Sequence, residues 1–130
     1  MTPCTANKKI LVVEDDPNMM KLLSMLLRNA GYEVHEANYA LPALFALVRV
    51  DPDLVLADIN MPMLSGIDLL RQIKGHCETS QIPVVVMSGY DTPESRNAAL
   101  EAGCVAFLAK PIDARALPGQ LAGYIKAHSH

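Results

Sequence analysis

Five short apolar runs recur along this chain, centred on Val12, Val34, Val55, Val85 and Phe107, at intervals of 22, 21, 30 and 22 residues. An interval of that size holds a strand, a helix and two short loops, whereas strands joined as hairpins lie far closer together. Ile10-Leu11-Val12-Val13, Leu54-Val55-Leu56-Ala57 and Val84-Val85-Val86-Met87 are continuously apolar rather than alternating. Buried parallel strands read this way, because helices cover both faces of their sheet. Five successive strand–helix units therefore predict an α/β fold, a doubly wound parallel sheet with right-handed crossovers.

Reactive residues stand where the runs stop. The first ends at Glu14-Asp15-Asp16, the third at Asp58 followed by Asn60-Met61-Pro62 and Gly66, the fourth at Ser88-Gly89, and the fifth at Lys110-Pro111. Open α/β sheets bind ligands beyond the carboxyl ends of their strands. Several carboxylates, a hydroxyl and an ammonium should thus converge in one crevice. Such crowding is too costly to keep for stability alone, so it predicts a bound metal or the transfer of a charged group.

The intervening segments read as helices. Asp16-Pro17 supplies an acidic N-cap and a first-position proline for a helix through Met19 to Ala30, stopped by Gly31. Ala40 to Val50 tolerates Pro42 only in its first turn, and Gly66 to Lys74 spaces Ile67, Leu70 and Ile73 toward a core. The fourth helix, Pro93 to Ala102, offers mainly Ala98, Ala99 and Ala102 for packing and ends at Gly103. Its weak anchorage makes it the helix most prone to shift. A fifth should carry Leu117, Leu121, Tyr124 and Ile125 inward. An unbroken helix from Asp113 would drive the Pro118 ring into the carbonyl of Ala114, so Asp113 to Ala116 is expected as a separate turn, with the helix starting near Leu117.

Composition narrows the function classes. Half of the residues are hydrophobic (51%) and only 5% aromatic, with no Trp, so the core must be aliphatic. A net charge of −3 gives no footprint for nucleic acid, and no apolar stretch approaches the ~20 residues that span a bilayer. Met1 to Asn7 lacks the apolar region of a secretory signal. Cys4, Cys77 and Cys104 are odd in number and widely spaced, which predicts reduced thiols in a cytoplasmic protein. The chain thus reads as one domain over residues 9–127, with an N-terminal extension (1–8) and a short tail (128–130).

The crevice chemistry can be specified further. Asp15 and Asp58, on adjacent strands, could grip one hard divalent cation, and Mg²⁺ favours one or two carboxylates with water and an anionic substrate. Glu14 would ligate through water or position Asp15, and the backbone carbonyl of Asn60 would point back if the loop after Asp58 turns sharply. An Asp carboxylate is also a nucleophile toward phosphorus. Phosphoryl transfer asks mainly for positioning and neutralised oxygens, which Lys110, the Ser88 hydroxyl and the metal could supply.

Taken together, Val12-Val13-Glu14-Asp15-Asp16, Asp58-Ile59-Asn60-Met61-Pro62 with Gly66, Met87-Ser88-Gly89 and Ala109-Lys110-Pro111, in that order and spacing, make the chain resemble a response-regulator receiver domain of two-component signalling. The likeness runs from Lys9 to about Lys126 and is closest to single-domain receivers of the chemotaxis type. It implies a flavodoxin-like sheet of five parallel strands in the order 2-1-3-4-5 with five helices. It further implies Asp58 as phosphoacceptor, Glu14, Asp15, Asp58 and the Asn60 carbonyl around Mg²⁺, and Ser88 and Lys110 on the phosphoryl group. Ser88 and Phe107 would form the switch, with Phe107 packing inward on phosphorylation, and the Lys110–Pro111 peptide bond would be cis. Such a protein takes its phosphoryl group from a histidine kinase or phosphotransfer protein and presents the surface of the fourth helix, fifth strand and fifth helix to a downstream protein. It assists its own phosphorylation and dephosphorylation without being a turnover enzyme.

Two features depart from the family pattern. Phe107 stands where Tyr or His is frequent and cannot hydrogen-bond. Pro118-Gly119 and the alanine-rich fourth helix disfavour the family's common dimer on that surface, so a monomer is expected. Met19, Met20, Leu22, Leu23, Met25, Leu26 and Leu27 exceed the single apolar stripe a sheet-packed helix needs. Extra core depth and a docking face for the phosphodonor both account for them. Two rival readings remain at this level: an interaction module that is never phosphorylated, and a phosphatase or mutase working through an aspartyl phosphate. The latter usually has a second acid where Asn60 stands.

Overall fold

The structure, a computed structural model, describes residues 8–59, 66–77, 79–89 and 92–127. Strands β1 (Lys9–Val13), β2 (Glu33–Ala37), β3 (Leu54–Asp58), β4 (Val84–Ser88) and β5 (Ala106–Ala109) alternate with helices α1 (Pro17–Asn29), α2 (Ala40–Val50), α3 (Gly66–Gly75), α4 (Pro93–Ala102) and α5 (Leu117–Ala127). All pairings are parallel and the sheet order is β2-β1-β3-β4-β5. This is the doubly wound architecture expected from the spacing of the apolar runs.

Alternation along each buried strand divides the core between two faces. Ile10, Val12, Leu54 and Leu56 pack with Leu23 and Leu27 of α1 and Leu117 and Leu121 of α5. Leu11, Val13, Val55 and Ala57 pack with α2, with Leu69, Leu70 and Ile73 of α3, and with Ala99 of α4. The residues of β3 and β4 are buried throughout, which only aliphatic sequence can satisfy at low cost.

Local signals set the helix ends. Asp16 Oδ1 accepts from the Asn18 N–H at 3.0 Å, and Pro17 opens α1. Gly31 leaves it at φ 101°, a conformation glycine adopts without a Cβ clash. Thr92 Oγ1 caps α4 by accepting from the Ser95 N–H at 3.1 Å. Gly103 ends that helix at φ 109°, and a Cβ there would meet Lys74 Cγ at 3.0 Å.

The proline problem in the fifth helix is solved as anticipated. Asp113 forms its own turn, its carboxylate accepting from the Arg115 N–H at 3.1 Å and its carbonyl from the Leu117 N–H at 3.0 Å. Helix α5 starts at Leu117, with Pro118 in the first turn. Leu117, Leu121 and Ile125 are buried, while Tyr124 is half-buried against the same cluster. Among the described residues, no helix is long and apolar enough to cross a membrane.

Candidate functional site

β1 and β3 are neighbours in the sheet, but the chain leaves them toward opposite faces, and that divergence opens a crevice above their carboxyl ends. Glu14 directly follows β1, held by its N–H to the Ala37 carbonyl at 3.1 Å. Asp58 closes β3 in register with Met87, so Ser88 lies one residue further along the adjoining strand. Lys110 directly follows β5 and is fixed by its N–H to the Ser88 carbonyl at 2.8 Å. The Lys110–Pro111 peptide bond is cis.

These backbone positions bring the predicted side chains together. Lys110 Nζ donates to Glu14 Oε1 and to Asp58 Oδ2, each at 3.1 Å. Glu14, Asp58 and Ser88 are buried, while Asp15 is exposed at the mouth of the crevice. Carboxylate oxygens of Glu14, Asp15 and Asp58 lie within 4.8 Å of one another. Asn60, predicted to lend its carbonyl, lies outside the described residues, as do Met61 and Pro62.

Electrostatics follow from that crowding. Burial pushes the Glu14 carboxyl up to about 7; the Asp58 charge adds to this, and the Asp16 N–H and Lys110 oppose it. For Lys110, burial works against the ammonium, yet its hydrogen bonds to Asp58 and Glu14 and their charges outweigh that, leaving its pKa above the usual lysine value. One ammonium thus serves two buried carboxylates, with the Asp15 carboxylate close by. A donor set of hard oxygens with excess negative charge is what Mg²⁺ takes, so the residues present fit that ion.

Phe107, expected as the aromatic switch, has its ring buried in the cluster that holds Ala99 and Cys104. Above it stands the Arg96 guanidinium of α4, 4.8 Å from the ring centroid. Sequence reasoning missed this pairing. An exposed helical Arg carries no signal of an aromatic partner eleven residues away on another element. A groove lies beside the buried carboxylates rather than over them. It has a volume of about 830 Å³ and runs from Asp15 and Pro17 along Met20, Met25 and Arg28 of α1 to Tyr39.

Comparison with known proteins decides the family. The sequence model of the response regulator receiver domain matches residues 10–122, most of the chain. The chain belongs to the response-regulator receiver family. Chemotaxis protein CheY-3 of Vibrio cholerae is 36% identical over 116 residues, covering 88% of this receiver and 89% of that protein. Regulatory protein AtoC of Escherichia coli is 36% identical over 109 residues, or 84% of this receiver. The chain spans only 23% of AtoC, and 23% of the transcriptional regulatory protein ZraR of Klebsiella oxytoca.

Solved structures agree. A CheY-like receiver domain protein of Methanospirillum hungatei superposes with a TM-score of 0.88 at 27% identity, covering 95% of this chain and 97% of that one. The receiver domain of a sensor histidine kinase from Pseudomonas aeruginosa does so at 0.85 and 28% identity, covering 93% and 99%; it holds a magnesium ion coordinated in its active-site cleft. Receiver domains act in general as phosphoacceptors of two-component signalling, and this chain is a receiver domain.

Proposed function

We propose that this receiver takes a phosphoryl group onto Asp58 from a phosphohistidine of a histidine kinase or phosphotransfer protein. The observation that carries the reading is Lys110 Nζ at 3.1 Å from both Asp58 and Glu14, the two buried members of a three-carboxylate cluster. An Asp58 carboxylate oxygen attacks phosphorus, the phosphorus–nitrogen bond breaks, and the imidazole leaves carrying the electron pair of that bond. Lys110 then has a phosphoryl oxygen to neutralise in place of a carboxylate oxygen, and the Ser88 hydroxyl, one strand away, donates to another. Asp15, Asp58 and the Asn60 carbonyl would hold Mg²⁺ directly, with Glu14 behind them. When bound, the ion supplies two positive charges that offset the repulsion between carboxylates and phosphoryl oxygens.

The readout follows from the same geometry. With Phe107 already inside, phosphorylation would stabilise an arrangement that the protein samples beforehand, a population shift rather than a new fold. Ser88 moving toward the phosphoryl group would draw the start of α4 with it, altering the α4-β5-α5 surface that a downstream protein reads. The phosphodonor would dock on α1, where Leu22 and Met25 are exposed and the large groove begins at Asp15. The late start of the fifth helix at Leu117, after the separate turn at Asp113, favours a monomer on the α4-β5-α5 side. A cytoplasmic location fits the free Cys77 and Cys104.

The test is incubation with acetyl phosphate, with and without Mg²⁺, followed by mass measurement of an acid-stable, alkali-labile adduct. Wild type should be labelled only with the metal, Asp58→Asn not at all, and Asp15→Ala should lose metal affinity and labelling together. Undiminished labelling of Asp58→Asn would remove that residue from the role, and indifference to EDTA would remove the metal.

A further inference from the structure

Helix α2 places its side chains in an unusual order of size. Toward the sheet it presents Ala40, Ala43 and Ala46 with Leu47 and Val50, all buried. Toward solvent it presents Leu41, Phe45 and Val48, which are 56%, 67% and 78% exposed. These three stand at i, i+4 and i+7, one continuous stripe along the outer face. Single exposed apolar residues need no explanation; a stripe containing one of the chain's two phenylalanines does. A helix that is apolar all round is ordinarily a buried helix, and α2 has only its inner face covered.

Beside the stripe lies a groove of about 400 Å³ between α2 and α3, bordered on the α3 side by Gln72, His76 and Cys77. The chain carries 14 acids against 11 bases, yet among the described residues no carboxylate lines this groove. Arg49, exposed next to Val48, supplies the nearby positive charge on α2. The stripe spans eight residues, about 10 Å of helix. Three partly exposed side chains of this kind present roughly 400 Å², about half of what each partner buries in a stable dimer. A second copy of the domain is therefore too large an occupant for the patch. One helix laid into the groove matches its length, its apolar ridge and its width between two packed helices.

The geometry points to the α2–α3 groove as the docking site for an amphipathic helix of a partner protein, apolar at i, i+4 and i+7 and flanked by carboxylates that meet Arg49 and His76. The site lies across the sheet from α1, so a phosphodonor on α1 and this partner can be bound together. It does not depend on the phosphoacceptor chemistry at Asp58.

Cys77 makes the site testable, because its thiol is exposed at the groove while Cys104 is buried. In a Cys4→Ser background, the probes are three synthetic three-turn helical peptides carrying fluorescein. One has leucines at i, i+4 and i+7 with glutamate flanks, one the same leucines with lysine flanks, and one serines in place of the leucines. Fluorescence anisotropy should show the glutamate-flanked peptide binding, the lysine-flanked one severalfold weaker and the serine one not at all. The bound peptide should slow Cys77 alkylation by iodoacetamide. Phe45→Asp should weaken binding at least ~10-fold, as loss of a central aromatic anchor does, while labelling of Asp58 by acetyl phosphate stays at the wild-type level and reports an intact fold. Equal binding to Phe45→Asp, or unslowed Cys77 alkylation, would overturn the proposal. So would sedimentation showing a reversible dimer that Phe45→Asp abolishes, since a second copy would then cover the face.

Discussion

Along β3, Leu54 to Ala57 and the next residue, Asp58, are almost equally hidden from water, yet their burial has opposite energetic meaning. The aliphatic residues gain by leaving water, roughly 25 cal/mol per Å² of apolar surface. Asp58, like Glu14 at the end of β1, loses hydration, which the ammonium that the two share recovers in part. The sheet interior is therefore built for stability, and its carboxyl edge holds charge at some expense to it. One peptide bond separates the two regimes, because the helices that cover the strands end where the crevice opens.

Removing bulk from the interior should have the largest effect. Leu54→Ala deletes a fully buried side chain and should cost ~2–5 kcal/mol in urea-induced unfolding. A loss under ~1 kcal/mol would mean that the strand interior is not where stability resides.

At the charged edge, Lys110→Ala should act on chemistry more than on folding. Loss of the group facing the phosphoryl oxygens should slow labelling by acetyl phosphate ~10²–10³-fold. Stability should fall less than in Leu54→Ala, because Glu14 can take up a proton when its cation is gone. Labelling at the wild-type rate would separate Lys110 from the reaction.

Glu14 offers a sharper contrast, since its cost depends on pH. The folded protein keeps the Glu14 proton to about pH 7, whereas the ordinary value is 4.5. Between these values the folded state binds more protons than the unfolded one, so stability falls as pH rises through the window. In EDTA, Glu14→Gln should remove that decline and melt higher than wild type at pH 8, by an amount worth ~1–2 kcal/mol. Mg²⁺ should narrow the gap by stabilising wild type. Melting curves at pH 5 and pH 8 that show the same wild-type-to-variant difference would contradict the assignment.

The smallest effect should come from Arg96→Ala. An exposed cation over an aromatic ring contributes ~0.5–1 kcal/mol, and Phe107 remains enclosed by Ala99 and Cys104 without it. Near-ultraviolet spectra that change substantially would mean that Arg96, rather than the pocket, holds the ring inside.

Much of this was written in the one-dimensional pattern. The intervals between apolar runs define strand–helix units, and the chirality of crossovers leaves few ways to assemble them. Asp16-Pro17, Gly31, Gly103 and the conflict at Pro118 act through their nearest neighbours, so their consequences were legible residue by residue. The convergence of Glu14, Asp15, Asp58, Ser88 and Lys110 was legible too, because in a parallel sheet every strand end lies on the same edge.

What the chain pattern left open depends on distances between separate elements. That Lys110 divides itself between two carboxylates, and that Phe107 is already inside beneath Arg96, are facts of side-chain reach across strands β1, β3, β5 and helix α4. Likewise, α2 is apolar on every side in sequence, and nothing local says whether Ala43 or Phe45 faces the sheet. Packing of α2 against β1 and β2 decided it, burying Ala40, Ala43 and Ala46 with Leu47 and Val50 and leaving Leu41, Phe45 and Val48 outward. Periodicity, handedness and backbone caps are local and additive, and the sequence determines them alone. Which of several apolar faces is buried, and which charges share a partner, is settled only when the whole core competes for the same volume.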